Sequence, residues 1–583
     1  MAVPQHFTQV FIKIKQTAIP TALMDALDEI VVDTSLHWPD MFTIQFQDPQ
    51  FEWIDSDLFE LGNTVEISVQ TGEEQGGLKG TLIKGEITTL EPYFSAQGRT
   101  TLLVRGYDKS HRLHRGKKTR TFLKQSDSEL AKKIAAEVGL TPEVDNTNIR
   151  YDYIIQNNQT NMEFLLARAE RIGYQVFAVE GKLYFKKGEA TQGDGPELRL
   201  GETLTSFRPT LTTSHQADKI VVKGWDPKGK QPITSQLPPD SNLNQGGMQQ
   251  TGGNTAKSVF DSAEAVVVNR PIFTVDEAQA LATGLSQDIN REFIQAEGQC
   301  NGDPRLKAGW HVTLKGIGQR FSGKYFVTSA THIYSPRGYD TTFTISGRHP
   351  NSVTHLLNRD NGAGQAVELM QGVVTALVTN VNDPDNLGRV KVKYVWLGDI
   401  ESDWIRIATP MAGSGRGFFY LPEINDEVLL AFEHGDVHRP YLIGVLWNAK
   451  DKPPEPNSEV ASGGKINRRV LKSRSGHLVV LDDTDGQEQI VIRDKTGSNE
   501  LVIDSKQNSM TIKVAGNFTV EAKGKISLNS MQDLSLDSKA NGNLKTMGNM
   551  SLEATGTGTV KAATVSVQGQ ALAEIKAGLI KLN

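Results

Sequence analysis

Two histidines four residues apart, His434 and His438, have the spacing that on a helix would bring two imidazoles to one metal ion. They lie in Phe432-Glu-His-Gly-Asp-Val-His438, where Gly435-Asp436 reads as a turn between strands, so a polar turn is preferred and no metal is assigned. The single cysteine, Cys300, sits in Gln299-Cys-Asn-Gly-Asp303 with no histidine beside it and reads as buried, not nucleophilic. Alone, it can form no internal disulfide, which fits folding in a reducing compartment. The carboxylates of Asp482 and Asp483 fall in the turn-like Leu481-Asp-Asp-Thr-Asp-Gly486. Gly413-Ser-Gly-Arg-Gly417 lacks the Lys-Ser/Thr ending of a phosphate-cradling loop and reads as a flexible loop between strands. No catalytic, cofactor-binding or metal-ligating residue is assigned, and no cofactor is expected.

Binding chemistry is equally restrained. Tyr394, Trp396 and Trp404 could stack on bases, but they stand in alternating strand sequence with charges of both signs around them. Core packing is the preferred role, and nucleic acid is not expected as a partner. His111-Arg-Leu-His-Arg-Gly-Lys-Lys118 is the most basic run and reads as a solvated face or a contact to a neighbouring subunit. The formal charge of −6 over 583 residues implies no large polyanion. The amino terminus, MAVPQHFTQVFIKIKQ, has neither a basic nor an apolar leader region, so synthesis in the cytoplasm without a signal peptide is expected.

The strongest pattern lies at the other end. Ile512, Val520, Leu528, Leu536, Leu544, Leu552 and Val560 recur every eight residues, with Met510, Phe518, Ile526, Leu534 and Met550 two positions ahead of their partners. An apolar pair at i and i+2 places both side chains on one face of a strand. The intervening Gly, Ser, Asn, Lys and Asp suit turns and a wet surface. The pattern predicts a β-solenoid. Either one chain winds three octads into each rung, or three chains each contribute one octad per level, and the repeat itself leaves both open. Leu579, Ile580 and Leu582 then form a blunt apolar platform at the tip.

Three regimes must position these features: a mixed region over 1–357, a dense run of short strands over 366–448, and, after a linker at 449–463, the repeat over 464–583. Phe7 to Lys15, Val65 to Val69 and Thr100 to Val104 alternate as strands. Ser126-Asp-Ser-Glu129, Thr160-Asn-Met-Glu163 and Thr274-Val-Asp-Glu277 announce three helices by capping. Residues 226–256, with few apolar side chains, read as a long mobile loop. Asn358 to Gly364 reads as a linker.

The middle regime resembles a known family. Asn382-Asp-Pro-Asp-Asn-Leu-Gly-Arg-Val-Lys-Val-Lys-Tyr394, Trp404-Ile-Arg-Ile-Ala-Thr-Pro-Met-Ala-Gly413, Gly417-Phe-Phe-Tyr-Leu-Pro-Glu-Ile-Asn-Asp-Glu-Val428 and Phe432 to Gly444 are similar to the OB fold of VgrG spikes and phage baseplate hubs. Tyr153-Ile-Ile-Gln-Asn-Asn-Gln-Thr-Asn-Met-Glu-Phe-Leu165, Gly302 to Gly309 and Arg320 to Val327 resemble the same family's hub. The resemblance implies a mainly β chain with a minor α/β part: a hub with two tube-like β-barrels, an OB-fold collar, and an intertwined, triple-stranded β-helix in a homotrimer. It further implies contacts to a hexameric inner tube protein and to baseplate proteins, a PAAR-like tip protein on the platform, and effector cargo. The membrane would be met only by mechanical puncture, outside the producing cell or at a target envelope. The linker is too short for a lysozyme domain and the repeat runs to Asn583, so the chain is expected to be a structural spike and not an enzyme. Phage tail, type VI secretion and extracellular injection particle all remain open as its machine. The alternative is a tail-spike adhesin or carbohydrate-binding protein, which would need aromatics along the needle; after residue 500 there is only Phe518.

Overall fold

The computed structural model describes residues 8–72, 77–96, 100–187, 193–238, 246–272, 274–347, 370, 372–397 and 400–582. The linker expected at Asn358 to Gly364 lies outside them. The chain divides into a unit spanning Met1–Pro453 and another spanning Pro454–Asn583.

Alternating strands dominate the first unit, as the period-two segments require. Thr8–Ile14, Thr64–Thr71 and Thr101–Asp108 are strands, each burying every second residue along most of its length. They join one eleven-stranded sheet, in which the antiparallel pairing of Leu27–Ser35 with Ser329–Ser335 joins seven strands from the start of the chain to four from further on. One half of this sheet wraps a core built on Phe42, Ile44, Phe46, Ile67 and Val104. The other half wraps Phe293, Cys300, Tyr325 and Phe343. Two cores thus hang on one continuous hydrogen-bonded sheet, and neither half is closed off from the other.

Between the halves the chain makes two α/β insertions. Helix Asp127–Glu137 begins at a complete capping box of Ser126 and Glu129, and Asn161–Arg171 at one of Thr160 and Glu163. Helix Val275–Arg291 is capped by the Thr274 hydroxyl. Two helices touch where Gly284 meets Gly173: a Cβ on Gly284 would stand 2.5 Å from the Gly173 Cα. Gly173 also holds φ +69°, a conformation that side chains disfavour.

The described parts of the segment 226–256, residues 226–238 and 246–256, depart from the expected loop, and 239–245 lie outside the described residues. Gln231–Leu237 pairs antiparallel with Lys219–Asp226, and a helix starts at Gly252. Ile233 is the cause: it is buried against Ile220, Ile272 and Leu281, so one apolar residue in a polar stretch anchors a strand. Gly413-Ser-Gly-Arg-Gly417 is likewise more ordered than expected, a tight hairpin in which Ala412 pairs with Gly417.

The collar is a five-stranded sheet, ordered Lys391–Lys393, Val373–Asn380, Glu427–Phe432, Pro440–Leu446 and Arg406–Ile407. Its core holds Val378, Val392, Tyr394, Val428 and Leu430, together with Tyr153 and Ile155 from the distant strand Arg150–Gln159. The second unit begins with a short helix, Asn457–Val460, and a small hairpin of Ala461–Ser462 with Lys465–Ile466, and continues as an antiparallel five-stranded meander, Arg468–Lys472 to Ser509–Lys513, after which no strand is assigned to the described residues 514–582.

Candidate assembly surface

The residues expected at the needle interior all stand in solvent on the single chain. Met510 and Ile512 occupy alternate positions of strand Ser509–Lys513 and share a face. Phe518, Val520, Ile526, Leu528, Leu534, Leu536, Leu544, Met550, Leu552 and Val560 follow without a strand partner and are all exposed, Leu552 at 85%. The platform residues Leu579, Ile580 and Leu582 are exposed as well. Each of these side chains would gain about 1.5–3 kcal/mol on complete burial. A strip this long cannot be accounted for as scattered surface apolar residues.

The strip begins earlier than the octads. Across the meander, Val479 pairs with Ile492, Ile492 with Leu501 and Leu501 with Ile512, while Leu481, Ile490, Ile503 and Met510 form the parallel row. The opposite face carries Val480 and Val491, which are buried. Pairs at i and i+2 therefore recur at 479/481, 490/492 and 501/503 before passing into 510/512 and 518/520. The spacing there is eleven residues because the turns are longer, so a search for an eight-residue period misses it. The signal that finds it is the pair itself.

A second built feature lies where the collar meets the inserted helices. His438 is fixed by its Nδ1 donating to Asp436 Oδ1 at 2.8 Å. Its Nε2 then accepts from the Ile155 backbone N–H at 3.1 Å. Arg171 Nη1 donates to Asp436 Oδ2 at 3.0 Å. Burial opposes the charge of Asp436, but His438 and Arg171 outweigh it and hold the carboxyl well below its ordinary range. Burial pushes His438 below the usual imidazole value despite Asp436 beside it. On the same helix as Arg171, Arg168 Nε reaches across to Asp127 Oδ1 of helix Asp127–Glu137 at 2.5 Å, a buried pair. His434 lies in a 3-10 turn, Glu433–Gly435, with φ +51°, so the two histidines do not share a helical face.

Other singled-out residues fall as follows. Cys300 is fully buried, and burial pushes its thiol up to about 12. Tyr394 is in the collar core, whereas Trp396 is 39% exposed, against the expectation of packing. Trp404 is half-buried, with Lys391 Nζ 5.5 Å from its ring centre, a cation–π contact that strand alternation does not reveal. In the basic run, Arg112 and His111 both bond Glu86.

Comparison with known proteins gives matches along most of the chain. Residues 13–335 match a family described as the Alg8 N-terminal domain. Residues 374–447 match the type VI secretion system/phage-baseplate injector OB domain. The Pseudomonas aeruginosa type VI secretion system spike protein VgrG1c is 29% identical over 67% of this chain and 55% of its own length. The Vibrio cholerae actin cross-linking toxin VgrG1 is 24% identical over 64% of this chain and 36% of its own. The chain thus spans only about a third to a half of these two relatives. In fold it is similar to a chain of the half-lidded Francisella PdpA-VgrG complex, with a TM-score of 0.53, 10% identity and 88% of both chains covered.

Proposed function

Because the chain belongs to the VgrG and phage-baseplate spike family, with an Alg8 N-terminal domain over its first half, we propose that three copies form the central spike of a contractile injection system. The observation that carries this reading is the strip of largely exposed apolar residues, most of them paired at i and i+2, that recurs from Val479 to Val560. Three chains winding about one axis would bury all of it at once, in cyclic closed symmetry, and leave the polar turn residues in water.

Division of labour follows the composition. The hub, residues 1–357, caps the hexameric inner tube and meets baseplate proteins. The OB collar, 366–448, joins it to the needle, 464–583, through the linker at 449–463. Sheath thrust is concentrated on the tip, where Leu579, Ile580 and Leu582 hold a PAAR-like protein that carries cargo. A three-chain solenoid suits that load, because every strand edge is paired and no ladder is left open to peel. The work is mechanical, done on a target envelope by a particle assembled in the cytoplasm.

Light scattering on the purified chain tests the proposal directly. A stable trimer is expected. A folded monomer at micromolar concentration would leave the apolar strip without a partner and refute the three-chain needle in favour of a single-chain solenoid.

A further inference from the structure

Along the apolar strip the paired positions are not filled evenly. From the meander onward seven successive pairs are complete: 479/481, 490/492, 501/503, 510/512, 518/520, 526/528 and 534/536 each carry two large apolar side chains. The next octad breaks the pattern. Gly542 stands two residues ahead of Leu544, where the preceding octads have Met510, Phe518, Ile526 and Leu534. Met550 and Leu552 restore a complete pair, and Gly558 ahead of Val560 breaks it again. The period then slips, since Val560 is followed by Val567 after seven residues instead of eight.

The backbone does not call for either glycine. The turn glycines of the same unit, Gly476, Gly486 and Gly497, hold φ of +103°, +72° and +73°, where a side chain is disfavoured. Gly542 and Gly558 lie outside that left-handed region, and a Cβ on either would meet nothing within 4 Å on the single chain. Glycine at these two positions therefore bears on packing and flexibility, not on a turn. With three chains wound about one axis, each glycine level would lack three apolar side chains at once. Their neighbours would lose the contacts those groups supply, and any void left behind adds its own cost. Glycine also regains more conformational freedom on opening than any other residue. Both effects loosen the same two levels, two octads apart, and neither operates at the seven complete pairs.

We propose that the needle is built in two mechanical segments: a fully filled shaft through Leu536, and a distal segment from Asn541 to Val560 that opens locally while the shaft stays wound. The inference rests on the three-chain reading of the strip and adds to it a place of yielding. The stiff part adjoins the linker in sequence, and opening is confined to the carboxyl-terminal part of the repeat.

Hydrogen exchange read by mass spectrometry on the purified full-length trimer tests it, with light scattering on the same sample. After correction for intrinsic rates, amides at 541–560 should exchange about tenfold or more faster than those at 509–536. Gly542→Leu combined with Gly558→Leu should slow the distal segment about tenfold and leave 509–536 unchanged; the corresponding pair of alanine substitutions should slow it less. Lys545→Leu adds a leucine on the opposite strand face to Leu544 and should exchange like the wild type. Three results would overturn the proposal: equal exchange of the two stretches in the wild-type trimer, no slowing by either alanine or leucine, or the same slowing by Lys545→Leu. A chain that is not trimeric by light scattering would sink the spike reading along with it, whereas an evenly exchanging trimer refutes only the two-segment needle.

Discussion

Replacing Arg171 with methionine removes a charge but keeps most of an apolar stem, and so isolates one interaction at the hub–collar joint. Asp436 is 8% exposed and faces Arg171 Nη1 at 3.0 Å, His438 Nδ1 at 2.8 Å and the His438 backbone N–H at 3.0 Å. Glu277, Glu433, Arg168 and Arg439 complete the charges around this group. Breaking a buried ion pair from one side costs about 3–5 kcal/mol. Arg171 is 26% exposed and Asp436 keeps both His438 bonds, so about 2–3 kcal/mol is the appropriate figure here. Arg171→Met with Asp436→Asn should be milder than the sum of the single changes, because the second substitution removes the stranded charge. The assay is urea unfolding combined with hydrogen exchange at 153–156 and 433–439. The pH dependence has a definite sign. His438 is depressed in the fold, so its contribution is complete above the ordinary imidazole value, about 6.5, and is lost as pH falls toward its folded value. Asp436 adds a further loss only below the ordinary carboxylate range. His438→Gln should flatten the first of these slopes. Arg171→Met within about 0.5 kcal/mol of wild type, with unchanged exchange at both segments, would refute the joint as an energetic coupling.

Further outcomes follow from particular contacts. Leu528→Asp should prevent trimer assembly, since three unpaired charges would meet in an apolar interior at several kcal/mol each, whereas Lys525→Asp should assemble normally; size-exclusion with light scattering reads both. Gly284→Ala should destabilise the hub by about 1–3 kcal/mol in urea unfolding, because its Cβ would press the Gly173 backbone and force two helices apart. Asp108→Asn should stabilise the hub at neutral pH by up to about 3 kcal/mol, and should remove the roughly 1.4 kcal/mol that the wild type loses between pH 5 and pH 8. Its carboxyl is raised by burial to about 6, so the wild-type contribution is full below the unfolded value and is lost as pH rises through 6. Deleting residues 578–583 should leave trimers intact while abolishing capture of a PAAR-like tip protein in pull-down; undiminished capture would exclude the platform.

The elements that could be read from the sequence are those governed by local rules. The helix starts at Ser126, Thr160 and Thr274 were visible because a cap is a short-range hydrogen bond. The strands Thr8–Ile14 and Thr64–Thr71 showed through alternation. Strand Gln231–Leu237 did not, since a single buried Ile233 decides it and that burial depends on Ile272, some forty residues on. Tyr153 and Ile155 read as ordinary strand residues of the hub, and nothing local says that they complete the collar core. In the candidate surface, strict period eight revealed Met510 onward but concealed Val479 to Ile503, where longer turns stretch the period to eleven. Trp396 and Trp404 show the limit of inferring burial from residue type, since neighbouring strands decide which aromatic faces inward.

The shared core at the collar also bears on how such chains can be recombined. A graft cut in the stretch before Met370 would separate the collar from Tyr153 and Ile155, leaving an apolar hole in one piece and two bare side chains on the other. Hub and collar must therefore be exchanged between relatives together, along with Arg171 and His438, which tie the same two pieces. The boundary between Pro453 and Pro454 falls after this core and leaves it whole, so it is where a foreign needle can be fitted to this hub.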